Sequence, residues 1–216
     1  MKILIIHNVF WSHYKAAVFS EFFKICNSNN VELEVLHIAL NEKGRGKLGN
    51  IDFSIHKYPY KILYNKELEN VNFLKRVSGI LKEIFRFKPD IIVIPGWNDI
   101  SYYLIVALSR ILGIKIILSS DSTEFDHRRI WYKELVKKII VKFSNAFWCY
   151  GTASKNYLLK LGADGKRIFI RYQATNNFEI EKIYKSCLSD RVNLIKKYNF
   201  KEHNFFEKLP QLNQSI

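Results

Sequence analysis

The polar segment 119–129, SSDSTEFDHRR, is the part of the sequence richest in side chains that could do chemistry. It directly follows a short β-branched run, and ligands of open α/β sheets bind just beyond the carboxyl ends of such strands. A carboxylate there can hold an acceptor hydroxyl, an imidazole titrates near neutral pH, and guanidinium groups pair with phosphate. The side chains predicted to contact a substrate are Ser120, Asp121, His127, Arg128 and Arg129. Asp121 and His127 are the candidate catalytic residues, on the side of the acceptor, and a solvated loop that caps the next helix is the alternative interpretation.

A second candidate lies after the apolar run 91–94, IIVI, where the sequence continues as Pro95-Gly96-Trp97-Asn98. Gly96 permits a tight turn, and Trp97 offers a flat face on which a sugar or a lipid could stack. We therefore predict that Trp97 and Asn98 bind substrate. The alternative is a plain turn followed by a tryptophan that packs in the core.

The third candidate is the sequence Gly151-Thr152-Ala153-Ser154, which lies between a predicted strand and a predicted helix. Free backbone N–H groups and the positive end of a helix can hold an anion at such a junction. Gly151, Thr152 and Ser154 are therefore predicted to lie on the side of a donor phosphate. Simple capping of the helix is the alternative.

Neither a cofactor nor a metal is expected. The segment after the first predicted strand, 7–13, lacks the GxGxxG pattern that lets a backbone approach a pyrophosphate, which disfavours nicotinamide and flavin enzymes. The three cysteines, Cys26, Cys149 and Cys187, form no CxxC pair, so a zinc site or a disulfide framework is not predicted.

The elements that must position these side chains alternate between strands and helices. Apolar and β-branched runs predict strands at 2–6, 31–38, 53–56, 91–94, 115–119, 146–150 and 167–171. Helical spacing of apolar residues predicts helices at 12–24, 71–87, 100–112, 131–143, 152–161 and 179–197. This alternation predicts an α/β fold, a Rossmann-like parallel sheet with helices on both faces.

The predicted helix 131–143 has a basic amphipathic pattern. Leu135, Val136, Ile139, Ile140 and Phe143 are set against four lysines, at 133, 137, 138 and 142. In an α/β fold such a helix packs its apolar side on the sheet and keeps its lysines in water, and we favour this arrangement. Binding at the interface of an acidic membrane is the alternative.

Bulk composition limits the class of protein. The 216 residues are 48% hydrophobic and 25% charged, as expected for one folded domain with a tail. The formal charge of +14 predicts an anionic partner, but the absence of an RNA- or DNA-binding motif argues against nucleic acid. With no secretory signal and no apolar stretch of the ~18 to 20 residues that a spanning helix needs, we expect a cytoplasmic protein, peripheral at most at the inner face of the cell membrane.

The stretch 89–178 resembles the N-terminal domain of the family 4 retaining glycosyltransferases, which have the two-domain GT-B fold. The resembling pieces occur in order as PDIIVIPGWND, GIKIILSSDSTEFDHRR and WYKELVKKIIVKFSNAFWCYGTASKNYLLKLGADGKRIFI. The resemblance implies that Asp121 and its neighbours face the acceptor and that Trp97 and Asn98 line the same cleft. It also implies that Gly151 and Ser154 lie near the donor phosphates.

The resemblance also implies a domain organisation. Residues 1–177 form the acceptor-side domain, 178–197 a linker helix, and 198–216 the truncated start of a second domain or an irregular tail. The family continues with a second Rossmann-like domain that binds the nucleotide sugar. We expect this domain to be missing from the chain, and the isolated chain to be inactive.

The predicted function is glycosyl transfer from a nucleotide sugar to a glycan or lipid-linked acceptor in cell-surface polysaccharide synthesis. The alternative is a non-catalytic, truncated or split-transferase subunit that docks a separate donor domain.

Overall fold

The computed structural model describes residues 1–45, 51–126, 130–172 and 177–197. The chain divides into two compact units, Met1–Thr175 and Asn176–Ile216. The first unit contains the sheet and every candidate site residue that the structure describes.

A seven-stranded parallel sheet is the centre of the first unit. Its strands are β1 (Lys2–Val9), β2 (Glu32–Asn41), β3 (Tyr60–Glu67), β4 (Ile91–Pro95), β5 (Lys115–Ser120), β6 (Ala146–Cys149) and β7 (Ile168–Ile170). The strand order is β3-β2-β1-β4-β5-β6-β7, and every neighbouring pair is parallel. The predicted fold class, a Rossmann-like α/β sheet, is confirmed.

Helices cover both faces of this sheet. They are α1 (His13–Ser28), α2 (Phe73–Phe87), α3 (Ile100–Ile111), α4 (Trp131–Phe143) and α5 (Thr152–Lys160). Helices α2 to α5 pack with the sheet in one core cluster, while α1 and the segment around Tyr58 form a second cluster on the opposite face. Burial of the β-branched side chains of the central strands between these layers is the main stabilising contribution.

The structure differs from the sequence prediction near residues 53–67. Phe53–Ile55 is a single 3₁₀ turn rather than a strand, because the Asp52 carboxylate accepts the Ser54 backbone N–H at 2.9 Å and closes the turn. The third strand instead begins at Tyr60. It lies at the sheet edge, where half-exposed side chains give no continuous apolar run.

Helix α4 turns a different side to the sheet from the one expected. Only Ile140 and Val141 are buried, whereas Leu135, Val136, Ile139 and Phe143 are between 38% and 55% exposed. The inner side of α4 is completed by polar groups instead. Tyr157 of α5 donates its hydroxyl to Glu134 and accepts a hydrogen bond from Lys137, at 2.9 Å each.

The second unit contains two short helices, α6 (Asn177–Cys187) and α7 (Arg191–Lys197), joined by a 3₁₀ turn. The sequence predicts one helix over 179–197, and the turn at Leu188–Asp190 divides it. Within the described residues of the whole chain, no helix is long and apolar enough to cross a membrane.

The direction of the chain connections reverses between β1 and β4. The chain runs from β1 to β2 on one side and from β4 to β5 on the other, so the connections after β1 and β4 leave in opposite directions. In open α/β sheets a ligand crevice opens at the carboxyl ends of the strands at such a switch point.

Candidate functional site

A cavity of about 480 Å³ opens at this switch point. The carboxyl end of β1 lines it, together with the N-terminal half of α1 and the carboxyl ends of β4, β5, β6 and β7. Its polar lining consists of His7, Asn8, Ser12, Tyr14, Lys15, Glu42, Arg45, Asn98, Ser119, Asp121, Tyr150, Arg171 and Tyr172. The volume is in the range of sites for small ligands.

Two cations meet at one tyrosine inside this cavity. The Lys15 ammonium and the Arg171 guanidinium both donate a hydrogen bond to the Tyr150 hydroxyl. Both also lie over the Tyr150 ring, with Lys15 Nζ 4.9 Å and the Arg171 guanidinium carbon 4.2 Å from its centroid. Arg171 Nη2 further donates to Ser119 Oγ at 3.3 Å. We call Lys15, Tyr150 and Arg171 the cation cluster.

The positive charge of the cation cluster is not neutralised by contact with a carboxylate. Within the described residues, no Asp or Glu oxygen lies within 4.0 Å of either cation. Lys15 is nevertheless only 7% exposed, and Arg171 Nε is buried with no hydrogen-bond partner among the residues that the structure describes. Buried charge is unfavourable unless it is paired, so the arrangement is suited to an anionic ligand.

The protonation of Lys15 reflects this environment. Burial and then the nearby Arg171 charge lower its pKa to about 8, and Asp121 partly opposes the shift. Burial also raises the pKa of the Tyr150 phenol, so this hydroxyl stays protonated at neutral pH. An arriving anion would favour the charged form of Lys15.

Asp121 is held at the rim of the cavity. Its backbone carbonyl accepts the Ser154 hydroxyl at 2.9 Å, which fixes the start of the loop after β5 to the start of α5. The Asp121 carboxylate is exposed and influences the pKa values of Tyr14, Lys15 and Tyr150 from a distance. It can therefore accept a hydrogen bond from a hydroxyl of a ligand without cancelling the cation cluster.

His7 lies deeper in the cavity wall. Its Nδ1 is 2.9 Å from the Val9 carbonyl oxygen, and because that oxygen can only accept, Nδ1 carries the proton. Burial, followed by the charge of Lys15, lowers the His7 pKa to about 3. The ring is therefore neutral near pH 7 and can accept a hydrogen bond at Nε2.

Two of the residues predicted from the sequence line the cavity, Asn98 and Asp121. Trp97 lies next to Asn98 in the chain but is only 5% exposed and belongs to the core. Its ring meets Tyr157 edge-on, with 5.8 Å between centroids, and Lys137 Nζ lies 5.6 Å from its centre. Trp97 therefore offers no free face for stacking in this conformation.

The other predicted residues lie outside the cavity lining. Ser120 is buried, and its Oγ accepts the Ser122 backbone N–H at 3.3 Å. Gly151 and Thr152 lie at the start of α5, and Ser154 acts through its hydrogen bond to Asp121. His127, Arg128 and Arg129 lie outside the described residues.

Sequence reasoning missed the whole cation cluster. Tyr150 and Arg171 directly follow β6 and β7, so the rule that was applied to the ends of β4 and β5 would have found them. Lys15 gives a subtler signal, because it occupies the buried stripe of α1 together with Ala16 and Phe19. A lysine on the apolar side of a helix next to a strand end is a candidate ligand-binding residue.

The described residues contain no cluster of side chains that could bind a metal. Over residues 1–45, 51–126, 130–172 and 177–197, no three His, Cys, Asp or Glu side chains are placed to hold a metal ion.

Comparison with solved structures shows a likeness of fold. UDP-GlcNAc 2-epimerase from Neisseria meningitidis, bound to UDP-GlcNAc, matches 94% of this chain with a TM-score of 0.58 and 14% sequence identity. UDP-N-acetylglucosamine 2-epimerase from Rickettsia bellii matches 93% with a TM-score of 0.57 and 14% identity. The Anabaena protein Alr3699/HepE, in complex with UDP-glucose, matches 86% with a TM-score of 0.53 and 12% identity.

The chain spans about half the length of these proteins, 55%, 52% and 49% respectively. The epimerases among them have a fold of the GT-B type, so the chain has the architecture of one half of a GT-B protein. No protein-family model and no curated protein matches the sequence.

Proposed function

We propose that this chain is the acceptor-side half of a nucleotide-sugar-dependent glycosyltransferase of the family 4 type. In this proposal it transfers a sugar to a glycan or lipid-linked acceptor in cell-surface polysaccharide synthesis. A second Rossmann-like domain, in the same polypeptide or in another, binds the nucleotide sugar and faces the cavity. The cation cluster holds a phosphate group in the cleft between the two halves.

The observation that carries the proposal is the pair of cations at the switch point, the buried Lys15 and the partly buried Arg171, with which no carboxylate of the described residues is in contact. A phosphate supplies the missing negative charge and can accept hydrogen bonds from both cations. The solved structures in complex with UDP-GlcNAc or UDP-glucose support a nucleotide-sugar ligand for this architecture, and the resemblance of 89–178 to family 4 supports transfer as the reaction.

The chain contributes to transfer in two ways. As the bond from the anomeric carbon to the diphosphate breaks, negative charge accumulates on the leaving phosphate, and Lys15 and Arg171 stabilise it from fixed positions. Asp121, at the rim, accepts a hydrogen bond from the acceptor hydroxyl and orients its oxygen toward the anomeric carbon, and the hydroxyl proton passes to the departing diphosphate as the new bond forms. The neutral His7 completes the wall as a hydrogen-bond acceptor.

The test is sugar transfer by the complete system. The full chain is incubated with UDP- and GDP-sugars and with membranes as acceptors, with and without a separately produced nucleotide-sugar-binding domain, and released nucleotide and labelled product are measured. Transfer that needs both components and is lost in the Asp121→Asn variant supports the proposal. Tight nucleotide-sugar binding or transfer by this chain alone contradicts it, and so does epimerisation of UDP-GlcNAc without an acceptor.

The alternative of a non-catalytic docking subunit gives a different result in the same assay. Transfer would still require this chain, but Asp121→Asn and Lys15→Met would leave the rate unchanged.

A further inference from the structure

Helices α3 and α4 both expose apolar side chains, and we call the surface that these side chains form the α3–α4 face. The two helices pack side by side on one face of the sheet. Their apolar side chains that are between 36% and 80% exposed are Ile100, Leu104, Leu108, Ile111, Trp131, Tyr132, Leu135, Val136, Ile139 and Phe143. On α3 these residues recur at intervals of three and four, so they form one stripe along the outer side of the helix.

This distribution is unusual for a helix that covers a sheet in a water-soluble protein. Such a helix normally buries its apolar stripe and turns polar residues outward. Here α3 buries Tyr102, Ile105 and Val106 on its inner side and is apolar on its outer side as well. Contiguous exposed apolar patches of this kind mark surfaces that contact another phase or molecule.

The charges around the α3–α4 face are almost all positive. Lys133, Lys138 and Lys142 are exposed, and no described carboxylate lies within 4.0 Å of them. The single acidic residue of the two helices, Glu134, points inward to Tyr157 and Lys137. A depression of about 310 Å³ beside the C-terminal half of α4 is lined by Lys138 and Lys142, and also by Asp164, whose carboxylate pairs with Arg167 at 3.2 Å.

We propose that the α3–α4 face docks on an anionic lipid bilayer. The apolar side chains enter the boundary between headgroups and acyl chains, and the lysines pair with headgroup phosphates or carboxylates. Trp131, 79% exposed at the start of α4, lies with Tyr132 at the depth where aromatic rings favour the membrane interface. The depression next to Lys138 and Lys142 accommodates a headgroup.

Charge favours a bilayer over a second copy of the chain as the occupant. A symmetric dimer through this face would bring two sets of lysines together between chains that each carry a formal charge of +14. An acidic membrane supplies both an apolar layer and the opposite charge.

Docking would bring the cavity close to the membrane. Helices α3 and α4 follow β4 and β5, so both begin at the same edge of the sheet as the cavity, and Asn98 lines it two residues before α3 begins. Vesicle binding needs no nucleotide sugar, so it is tested separately from the proposed function.

The first experiment measures binding of the full chain to vesicles of phosphatidylglycerol and phosphatidylcholine by co-sedimentation. We expect binding to anionic vesicles that weakens with salt. We also expect a blue shift of tryptophan emission that the Trp131→Phe variant lacks, because Trp131 is the one tryptophan of the α3–α4 face. Trp97 is buried, Trp148 packs on the opposite face of the sheet, and Trp11, before α1, stacks with His13. No binding to anionic vesicles would overturn the proposal.

Matched variants distinguish binding through the α3–α4 face from attraction by the net positive charge of the chain. Leu135→Ser should weaken binding at least about fivefold, whereas Ile25→Ser on α1, with a similar exposed fraction, should not. The double variant Lys138→Gln/Lys142→Gln should lose about 30-fold, and the control Lys57→Gln/Lys82→Gln, which removes the same charge elsewhere, should lose under about threefold.

Two further results would contradict docking of the α3–α4 face on a bilayer. Equal losses in both lysine pairs would mean attraction by net charge alone and would overturn the proposal. So would an oligomer that Leu135→Ser converts to a monomer without any vesicle binding, because the face would then be a protein interface. Thermal melting serves as the folding check, and these exposed substitutions should change stability by less than about 0.5 kcal/mol.

Discussion

Replacing Lys15 by methionine should move ligand affinity and stability in opposite directions. A phosphate that contacts the ammonium at about 4 Å gains roughly 4 kcal/mol at an effective dielectric constant of about 20. A charge-assisted hydrogen bond contributes about 1.5 to 3 kcal/mol net of lost solvation. If this hydrogen bond contributes about 2 kcal/mol to binding, the Lys15→Met variant should bind inorganic pyrophosphate about 30-fold more weakly.

The stability change follows from the lowered pKa of Lys15. Its ordinary value is 10.5, and burial and Arg171 reduce it to about 8 in the folded protein. At pH 7 the charged group therefore destabilises the folded state by about 3 kcal/mol. The penalty is fully present below pH 8 and disappears as the pH rises from 8 to 10.5, where the unfolded chain binds more protons than the folded one. Lys15→Met should raise the free energy of unfolding at pH 7 by up to about 3 kcal/mol and lose this advantage above pH 10.

The assay combines isothermal titration calorimetry with pyrophosphate and urea unfolding at pH 7 and pH 10. Lys24→Met is the control, because Lys24 lies on the same helix but is exposed and pairs with Glu21 at 2.7 Å. It should leave binding unchanged and alter stability by less than about 0.5 kcal/mol. A Lys15→Met variant that is destabilised and still binds pyrophosphate normally would refute the reasoning.

Three further changes test other parts of the account. Tyr150→Phe removes the hydroxyl that accepts hydrogen bonds from both Lys15 and Arg171. Calorimetry should then show weaker pyrophosphate binding, and urea unfolding should show a free energy of unfolding lower by about 1 to 2 kcal/mol. Unchanged stability would contradict a structural role for that hydroxyl. Acidification from pH 7 to pH 5 should lower the free energy of unfolding by about 2 kcal/mol for each of His7 and His56. Burial holds their pKa values at about 3 and about 4 in the folded protein, against 6.5 in the unfolded chain. Urea unfolding at the two pH values should show this drop, and a flat profile would contradict it. Trp97→Ala should lower the free energy of unfolding, measured by heat or urea, by about 3 to 5 kcal/mol because it opens a cavity in the core. A loss of ligand affinity without a loss of stability would instead place Trp97 in the binding site.

Much of the fold could be predicted because its strands carry their own pattern. The strand β4 is apolar throughout, and β5, which leads into Asp121, has an apolar centre at 116–118, since helices cover both faces of these strands. The edge strand β3 could not be found this way, because one of its sides has no partner and its residues Tyr60–Glu67 are mostly half-exposed. The strand expected at 53–56 is a turn closed by the Asp52 carboxylate, a local contact that competes with strand pairing.

The orientation of α4 shows a different limit. A helical period reveals that Leu135, Ile139 and Phe143 share a side, but the same pattern results whether that side meets the sheet or the solvent. The side of α4 that faces the sheet carries Glu134 and Lys137, which form hydrogen bonds with Tyr157 of α5. This contact joins residues about 20 positions apart and has no local pattern.

The candidate site was only partly visible in the sequence for a similar reason. Asn98 and Asp121 follow predicted strands, and both line the cavity. The cation cluster joins Lys15 to Tyr150 across 135 positions and Tyr150 to Arg171 across 21. Each residue alone is an ordinary lysine, tyrosine or arginine. That no carboxylate of the described residues contacts the two cations is apparent only once the sheet brings them together.

The most direct test of the account is to map where pyrophosphate binds. An NMR titration of the isotope-labelled full chain should perturb the amides of α1 around Lys15 and of the strand ends at Ser119, Tyr150 and Arg171, and the shift changes should fit one binding site per chain. Perturbations that spread over the exposed lysines, or that are missing from these amides at saturating pyrophosphate, would contradict an anion site at the switch point.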